Sequence, residues 1–265
     1  MRNFLRSILP GRKKASLAPQ RERLFRSKIP AAVYAIGDIH GRLDLLLNLE
    51  QKIIADSQDF LGEKLIVILG DFIDRGPKSA HVLDHLIAPP PAGFERICLC
   101  GNHEEFMAQY LETPHLMRRW LDFGGFETLL SYGITPDPER GLDLSPKKLG
   151  FVLDANIPKS HREFLSHLPC SLELEEFYFT HAGIDPTRSL QEQEDEDLMW
   201  IRNRFLDYDG PLEKTIVHGH TPVEEVGVTQ GRINVDTGAY ISGILSAIRI
   251  APGKTPKIIK SGKLY

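Results

Sequence analysis

A chain of 265 residues, 42% of them hydrophobic, can bury one large α/β core, and no apolar run nears the roughly 18 residues that a bilayer crossing needs. Three cysteines, Cys98, Cys100 and Cys170, make an odd count with no secretory leader, which argues against a disulfide framework and for a reducing cytoplasm. The net charge of −4 is unevenly spread: residues 1 to 30 hold nine Lys or Arg against Glu22 alone, +8, leaving 23 basic and 35 acidic side chains, −12, for the rest.

Residues 1–29 read as a basic, disordered arm. MRNFLRSILPG sets Phe4, Leu5, Ile8 and Leu9 on one short turn, too little apolar area for a membrane foot, and weak contact with an anionic surface stays open. A single catalytic domain is expected over 30–265. AAVYAI (31–36), KLIVIL (64–69) and ERICLC (95–100) are short apolar runs ended by glycine-containing turns, the pattern of buried strands. Cys98 and Cys100 share a face of the third, where burial is expected rather than metal binding. RLDLLLNLEQKIIADS and PKSAHVLDHLIA carry helical periodicity between these runs, with Pro77 suited to a helix's first turn, so the chain opens as β-α-β-α-β with parallel strands. Residues 103–168 read as helices that cap one side of a cleft. SLELEEFYFTHAG, KTIVHGHTP, GRINVDTGAY and GILSAIRI then return to strands, and the acidic run QEQEDED (191–197) reads as a solvated loop.

Five segments follow apolar runs: GDIHG (37–41), GDFIDRG (70–76), GNHE (101–104), THAG (180–183) and HGHTP (218–222). Open α/β sheets gather ligands at the carboxyl ends of their strands, so all five can meet at one edge. They bring Asp38, His40, Asp71, Asn102, His181 and His220, a mixed oxygen and imidazole set suited to borderline divalent metals. An Asp can offer one oxygen to each of two ions, and Asp71 is the natural bridge. Any one segment alone reads equally as a turn or a helix cap; five in order do not.

In order and spacing these segments resemble the signature of the metallophosphoesterase superfamily, in the bacterial and phage branch of the PPP-type serine/threonine protein phosphatases. IxVDTGA at 233–239 resembles the tail of that branch. The resemblance implies a four-layer α/β/β/α sandwich. It also implies two divalent metal ions, with Mn²⁺ expected to serve best and Fe²⁺ or Zn²⁺ acceptable. Asp38, His40 and Asp71 would hold one ion; Asp71, Asn102, His181 and His220 would hold the other. His218 lies outside the match and is expected to support the site or to be structural.

A metal-bridging hydroxide would attack phosphorus directly, with no phosphoenzyme. His103 would protonate the leaving alkoxide as general acid, oriented by Asp74. Arg75 and Arg202, the latter from MWIRNRF, would hold phosphate oxygens, with Arg204 as the fallback. Tyr240 and Trp200 either line the pocket or pack in the core. Phosphoserine and phosphothreonine proteins, with phosphotyrosine as a further candidate, are the expected substrates of a monomeric cytoplasmic enzyme. The alternative is a symmetrical diadenosine tetraphosphate hydrolase, although those tend to carry Ala where this chain has Asp74, and GNHD for GNHE. A non-catalytic scaffold is disfavoured because every expected role is filled. The SAPNY segment of eukaryotic members is missing, which leaves regulatory subunits open.

Overall fold

The structure, a computed structural model, describes residues 20–137, 142, 144–229 and 231–262. The first half supplies strands β1 (Arg23–Arg26), β2 (Ala32–Ile36), β3 (Lys64–Ile68) and β4 (Phe94–Cys98), with helices α1 (Leu43–Asp56) and α2 (Ser79–Ile87) joining β2 to β3 and β3 to β4. β2, β3 and β4 pair in parallel, as the spacing predicts; Pro77 falls two residues before α2 rather than inside it. β2 is buried at every position because its alternate residues serve two cores. Ala32, Tyr34 and Ile36 join the cluster beneath the helices, whereas Val33 and Ala35 face a second sheet.

The helical middle comprises α3 (Asn102–Glu112), α4 (Phe126–Ser131), α5 (Pro146–Asn156) and α6 (Lys159–Ser166). Then come β5 (Ser171–Leu174), β6 (Phe177–Thr180), α7 (Asp195–Trp200), α8 (Asn203–Leu206), β7 (Thr215–His218), β8 (Gly227–Thr229), β9 (Arg232–Asn234), α9 (Ala239–Ser242), β10 (Ser246–Ile250) and β11 (Lys257–Lys260). One sheet runs β11-β10-β2-β3-β4 and the other β1-β5-β6-β7-β9-β8. Leu65, Val67, Leu99 and Ile248 from the first meet Leu172, Phe179, Val217 and Ile233 from the second, forming the inter-sheet core. Tyr178 and Ile216 point the other way, against Leu198 and Phe205 beside α7 and α8. The result is the α/β/β/α sandwich.

The helical insert does not fold apart from this frame. Met107, Tyr110, Trp120, Leu149, Leu153 and Leu165 share one core with Leu45 and Leu49 of α1, so the insert extends the outer helical layer while one loop of it reaches the cleft. Cys98 and Cys100 are buried in that same core as free thiols.

Two expectations need correction. Residues 1–19 of the basic arm lie outside the described residues, but its last part is ordered structure: β1 pairs in parallel with β5 at the edge of the second sheet. Charge holds it there. Arg21, 13% exposed, forks onto Glu105 at 2.6 and 2.9 Å and donates to the carbonyls of Leu165 and Leu168, while Arg23 reaches Asp195 at 2.8 Å. The QEQEDED run is correspondingly not a solvated loop throughout. Gln193 is buried, donating to the carbonyls of Asp185, Arg188 and Ser189, and Asp195 and Asp197 are neutralised by arginines at the start of α7. Like charges fold here because cations compensate them, Arg188 and Arg204 from either side of the run and Arg23 from far along the chain. Arg21→Ala leaves two carbonyls and Glu105 without their donor, and should destabilise the protein by about 2–4 kcal/mol in urea unfolding.

Candidate metal centre

All five glycine-bounded segments meet at the carboxyl ends of β2, β3, β4, β6 and β7. The strands are stitched there by bonds between turns: the amides of Ile39 and His40 donate to Asp71 O, and Gly219 N donates to His181 O. Among the described residues, six that are not glycine have positive φ, and five of them are His40, Asp71, Asp74, Arg75 and His220. Such backbone costs on the order of 1–3 kcal/mol per residue and persists only where its surroundings over-determine it. Here each strained amide has an acceptor. His40 N donates to Asp71 O at 2.9 Å, Asp71 N to Glu104 Oε2 at 2.7 Å, Arg75 N to Gly124 O at 3.2 Å, and His220 N to the Asp38 carboxylate at 3.2 Å. Asp74 N is shared by Ser79 Oγ and Thr128 Oγ1, both at 3.0 Å.

Asp71 is the centre. Its Oδ2 lies 3.7 Å from both His40 Nε2 and His103 Nε2, and its Oδ1 lies 3.3 Å from His181 Nε2. Two groups able to hold a metal ion therefore share it: His40, Asp71 and His103, and Asp71, His181 and His220. Asp71 also accepts the His103 amide at the N-terminus of α3, where the helix dipole favours an anion. Burial opposes its ionisation, but His181 and His103 outweigh that and hold the carboxyl well below its ordinary range. Glycine is required beside it. A Cβ on Gly101 would sit 2.2 Å from Asp71 Oδ1 and 2.5 Å from its amide nitrogen, so Gly101→Ala should lower turnover about 10²-fold while circular dichroism stays native.

The donors fit divalent cations. His40 and His181 give their Nδ1–H to the carbonyls of Ile73 and Leu69, at 2.8 and 2.9 Å, which fixes the tautomer and turns each Nε2 lone pair inward. Around His181 Nε2 lie Asn102 Oδ1 at 2.9 Å, His220 Nδ1 at 3.0 Å and Asp71 Oδ1. Converging lone pairs of this kind suit a cation. Burial lowers His40 to about 3 and His220 to about 2, so both stand as neutral imidazoles, the ligating form. Asp38 lies beyond the two tight groups, taking the His220 amide, and burial followed by its neighbours Asp236 and Asp71 pushes its carboxyl well above the ordinary range. Metal charge relieves that kind of strain.

The expected acid pair is built. His103 Nδ1 lies 2.6 Å from Asp74 Oδ2, and both are buried. Burial lowers the imidazole, but Asp71 and the Asp74 hydrogen bond outweigh it and His103 ends above its ordinary value. Sequence reasoning missed what fixes Asp74: Trp120 Nε1 donates to Oδ2 at 2.8 Å and Thr128 Oγ1 to Oδ1 at 2.6 Å. It also missed Glu104, whose carboxylate accepts the amides of Asp71, Phe72, Ile73 and Gly101. Burial and the nearby Asp71 charge raise Glu104 to about 7 against those four donors. Asp236 is a third omission, although VDTGA had marked its neighbourhood.

Arg75 Nη2 lies 3.1 Å from His103 Nε2, with its guanidinium 4.6 Å over the Tyr240 ring, and Tyr240 packs edge-on to His40 at 5.1 Å. Tyr240 thus belongs to the site wall. Arg202 is exposed beside His220, donating to Thr221 Oγ1 at 3.2 Å, while Arg204 is engaged by Asp185 and Asp197. The fallback is therefore otherwise occupied. Trp200 stacks on Phe106 and stands edge-on to His220 at 6.5 Å. His218 is buried against Phe205, its Nδ1 facing Gly219 O at 3.1 Å. A depression of about 980 Å³ between Glu176, Lys214 and Arg232 lies at the opposite end of β7 and holds none of these residues.

The model of the calcineurin-like phosphoesterase family matches residues 31–246, nearly the whole sandwich and all five segments. The chain belongs to the calcineurin-like phosphoesterases. It is a metal-dependent phosphoester hydrolase by that membership. Among curated proteins it is similar to the asymmetrical bis(5'-nucleosyl)-tetraphosphatase PrpE of Oceanobacillus iheyensis, 26% identical over 237 residues and covering 81% of this chain and 86% of that one. It is equally similar to serine/threonine-protein phosphatase 2 of Escherichia coli K12, 26% identical over 230 residues and covering 82% and 92%. Among solved structures, a provisionally named diadenosine tetraphosphatase superposes with a TM-score of 0.62 at 19% identity, covering 92% of this chain and 100% of that one. That likeness bears on the fold.

Proposed function

We propose that this phosphoesterase removes phosphate from phosphoserine and phosphothreonine side chains, and from phosphotyrosine, in proteins. The observation that carries the reading is the His103–Asp74 pair, at 2.6 Å and clamped by Trp120 and Thr128. A serine alkoxide is strongly basic and leaves only with a proton, whereas a nucleoside phosphate leaves from a polyphosphate chain with little help. So elaborate a proton donor suits the first leaving group better.

In this reading Asp38, His40 and Asp71 hold one divalent cation, and Asp71, Asn102, His181 and His220 hold the second. Bound there, the ions neutralise phosphate charge and acidify water, and Mn²⁺ is the cation we expect to serve best. The chain's own residues do the rest. Arg75 and Arg202 grip phosphate oxygens, orienting the ester so that its leaving oxygen faces His103 Nε2. His103 delivers its proton to that oxygen. Asp74, held on both oxygens, keeps the imidazole in place and favours its charged form. The enzyme is proposed to act as a cytoplasmic monomer on phosphoprotein substrates.

A second reading follows from the name of the Oceanobacillus relative, cleavage of a bis(5'-nucleosyl) tetraphosphate, in the asymmetrical sense that name gives rather than the symmetrical one first expected. Comparing kcat/KM of the Mn²⁺-loaded protein on a phosphoserine peptide and on diadenosine tetraphosphate, with a chelated control, separates the two. Preference for the peptide supports the proposal; preference for the dinucleotide replaces it with the second reading.

A further inference from the structure

We infer that Asp236 is an additional carboxylate of the metal centre, acting on the Asp38 side. This rests on the metal-holding reading above and extends it. β9 pairs in parallel with β7, His218 opposite Asn234, and Asp236 follows the end of β9 by two residues as His220 follows the end of β7. It lies against the turns that carry the proposed ligands. A Cβ on Gly37 would stand 3.2 Å from Asp236 Cα, and a Cβ on Gly219 would stand 2.2 Å from Asp38 Oδ1 and 3.6 Å from Asp236 Cβ. Asp38 and Asp236 therefore flank the same glycine, Asp38 following β2 of one sheet and Asp236 following β9 of the other.

Asp236 is 1% exposed, and only half of its carboxylate is accounted for by the protein. Oδ1 takes the Gly238 amide at 2.8 Å, an ordinary turn contact. Oδ2 is buried with no hydrogen-bond partner. Glu104, equally buried, shows how this protein treats a carboxylate that serves only the backbone: four amides converge on it. Asp236 receives nothing comparable on Oδ2, and neither does Asp38, which takes the His220 amide and meets the Asp236 side chain. Asp236 and Asp38 are two adjacent buried carboxyl groups in hydrogen-bond contact with each other and without a side-chain cation, and a divalent ion is a partner that satisfies both at once. Asp236 thereby strengthens the hold on the cation bound by Asp38 and His40, on the side where the protein offers one His and no amide oxygen.

Asp236→Asn tests this because the amide oxygen can keep the Gly238 contact while the charge is lost. Titrating metal-free protein with Mn²⁺ alone in a calorimeter, the variant should bind one equivalent at least about tenfold more weakly than wild type, as loss of a supporting carboxylate does elsewhere. Without metal its thermal midpoint should equal or exceed that of wild type, because repulsion is gone, and the rise on adding Mn²⁺ should shrink. An unchanged isotherm overturns the inference, and so does a lower metal-free midpoint, which would mark Asp236 as purely structural. Asp71→Asn is the control: if it too binds Mn²⁺ like wild type, the metal-holding reading itself fails.

Discussion

Asp71→Asn should reduce kcat/KM by about 10²- to 10³-fold on any substrate and leave the protein with less than its full complement of Mn²⁺. The two oxygens of Asp71 are divided, Oδ2 toward His40 and His103 and Oδ1 toward His181, so an amide leaves one side without an oxygen and with a competing N–H. The substitution also removes the negative charge that Asp71 contributes to His103. Fold should survive, because the turn at Asp71 is held through its backbone by Glu104 Oε2 and by the amides of Ile39 and His40. Activity assays paired with metal analysis of the purified variant check both halves. Full turnover with full metal would remove Asp71 from its shared position.

His103→Asn should slow phosphoserine-peptide cleavage by about 10²- to 10⁴-fold while sparing an activated aryl phosphate, whose leaving group needs little proton assistance. Asn can occupy the space but cannot carry a proton from the buried Asp74 face to the cleft. The contrast between the two substrates matters more than either loss. Equal losses on both would mean that His103 contributes to holding the centre, as its 3.7 Å approach to Asp71 Oδ2 permits, rather than to protonating the leaving oxygen.

What could be read from the sequence was what repeats locally. The runs 31–36, 64–69 and 95–100 became β2, β3 and β4 within a residue or two, because a buried parallel strand must be apolar on both faces. Asp38, His40, Asp71, Asn102, His181 and His220 come together because each follows a strand end, which sequence order alone can show. The short edge strands β1, β8 and β11 were missed: three or four residues with exposed positions carry no periodic signal, and β1 is held by Arg21 and Arg23 reaching residues 84 to 174 positions away. Trp120 and Thr128 were likewise invisible as site residues. They sit in helical segments with ordinary packing patterns, and only the fold brings them 46 and 54 residues back to Asp74. The acidic run 191–197 misled in part for the same reason, since the partner of Asp195, Arg23, lies 172 residues away, while Arg188 and Arg204 flank the run. Gly124 shows how closely the insert is fitted. A side chain there would meet Arg75 N at 2.7 Å, so its glycine lets the insert press against the cleft wall.

The central claim is that Asp71 joins two cations. Anomalous diffraction from crystals grown with Mn²⁺ tests it without reference to any substrate. Two peaks about 3.5–4 Å apart, one on each oxygen of Asp71, are expected; a single peak, or peaks away from Asp71, would contradict the account.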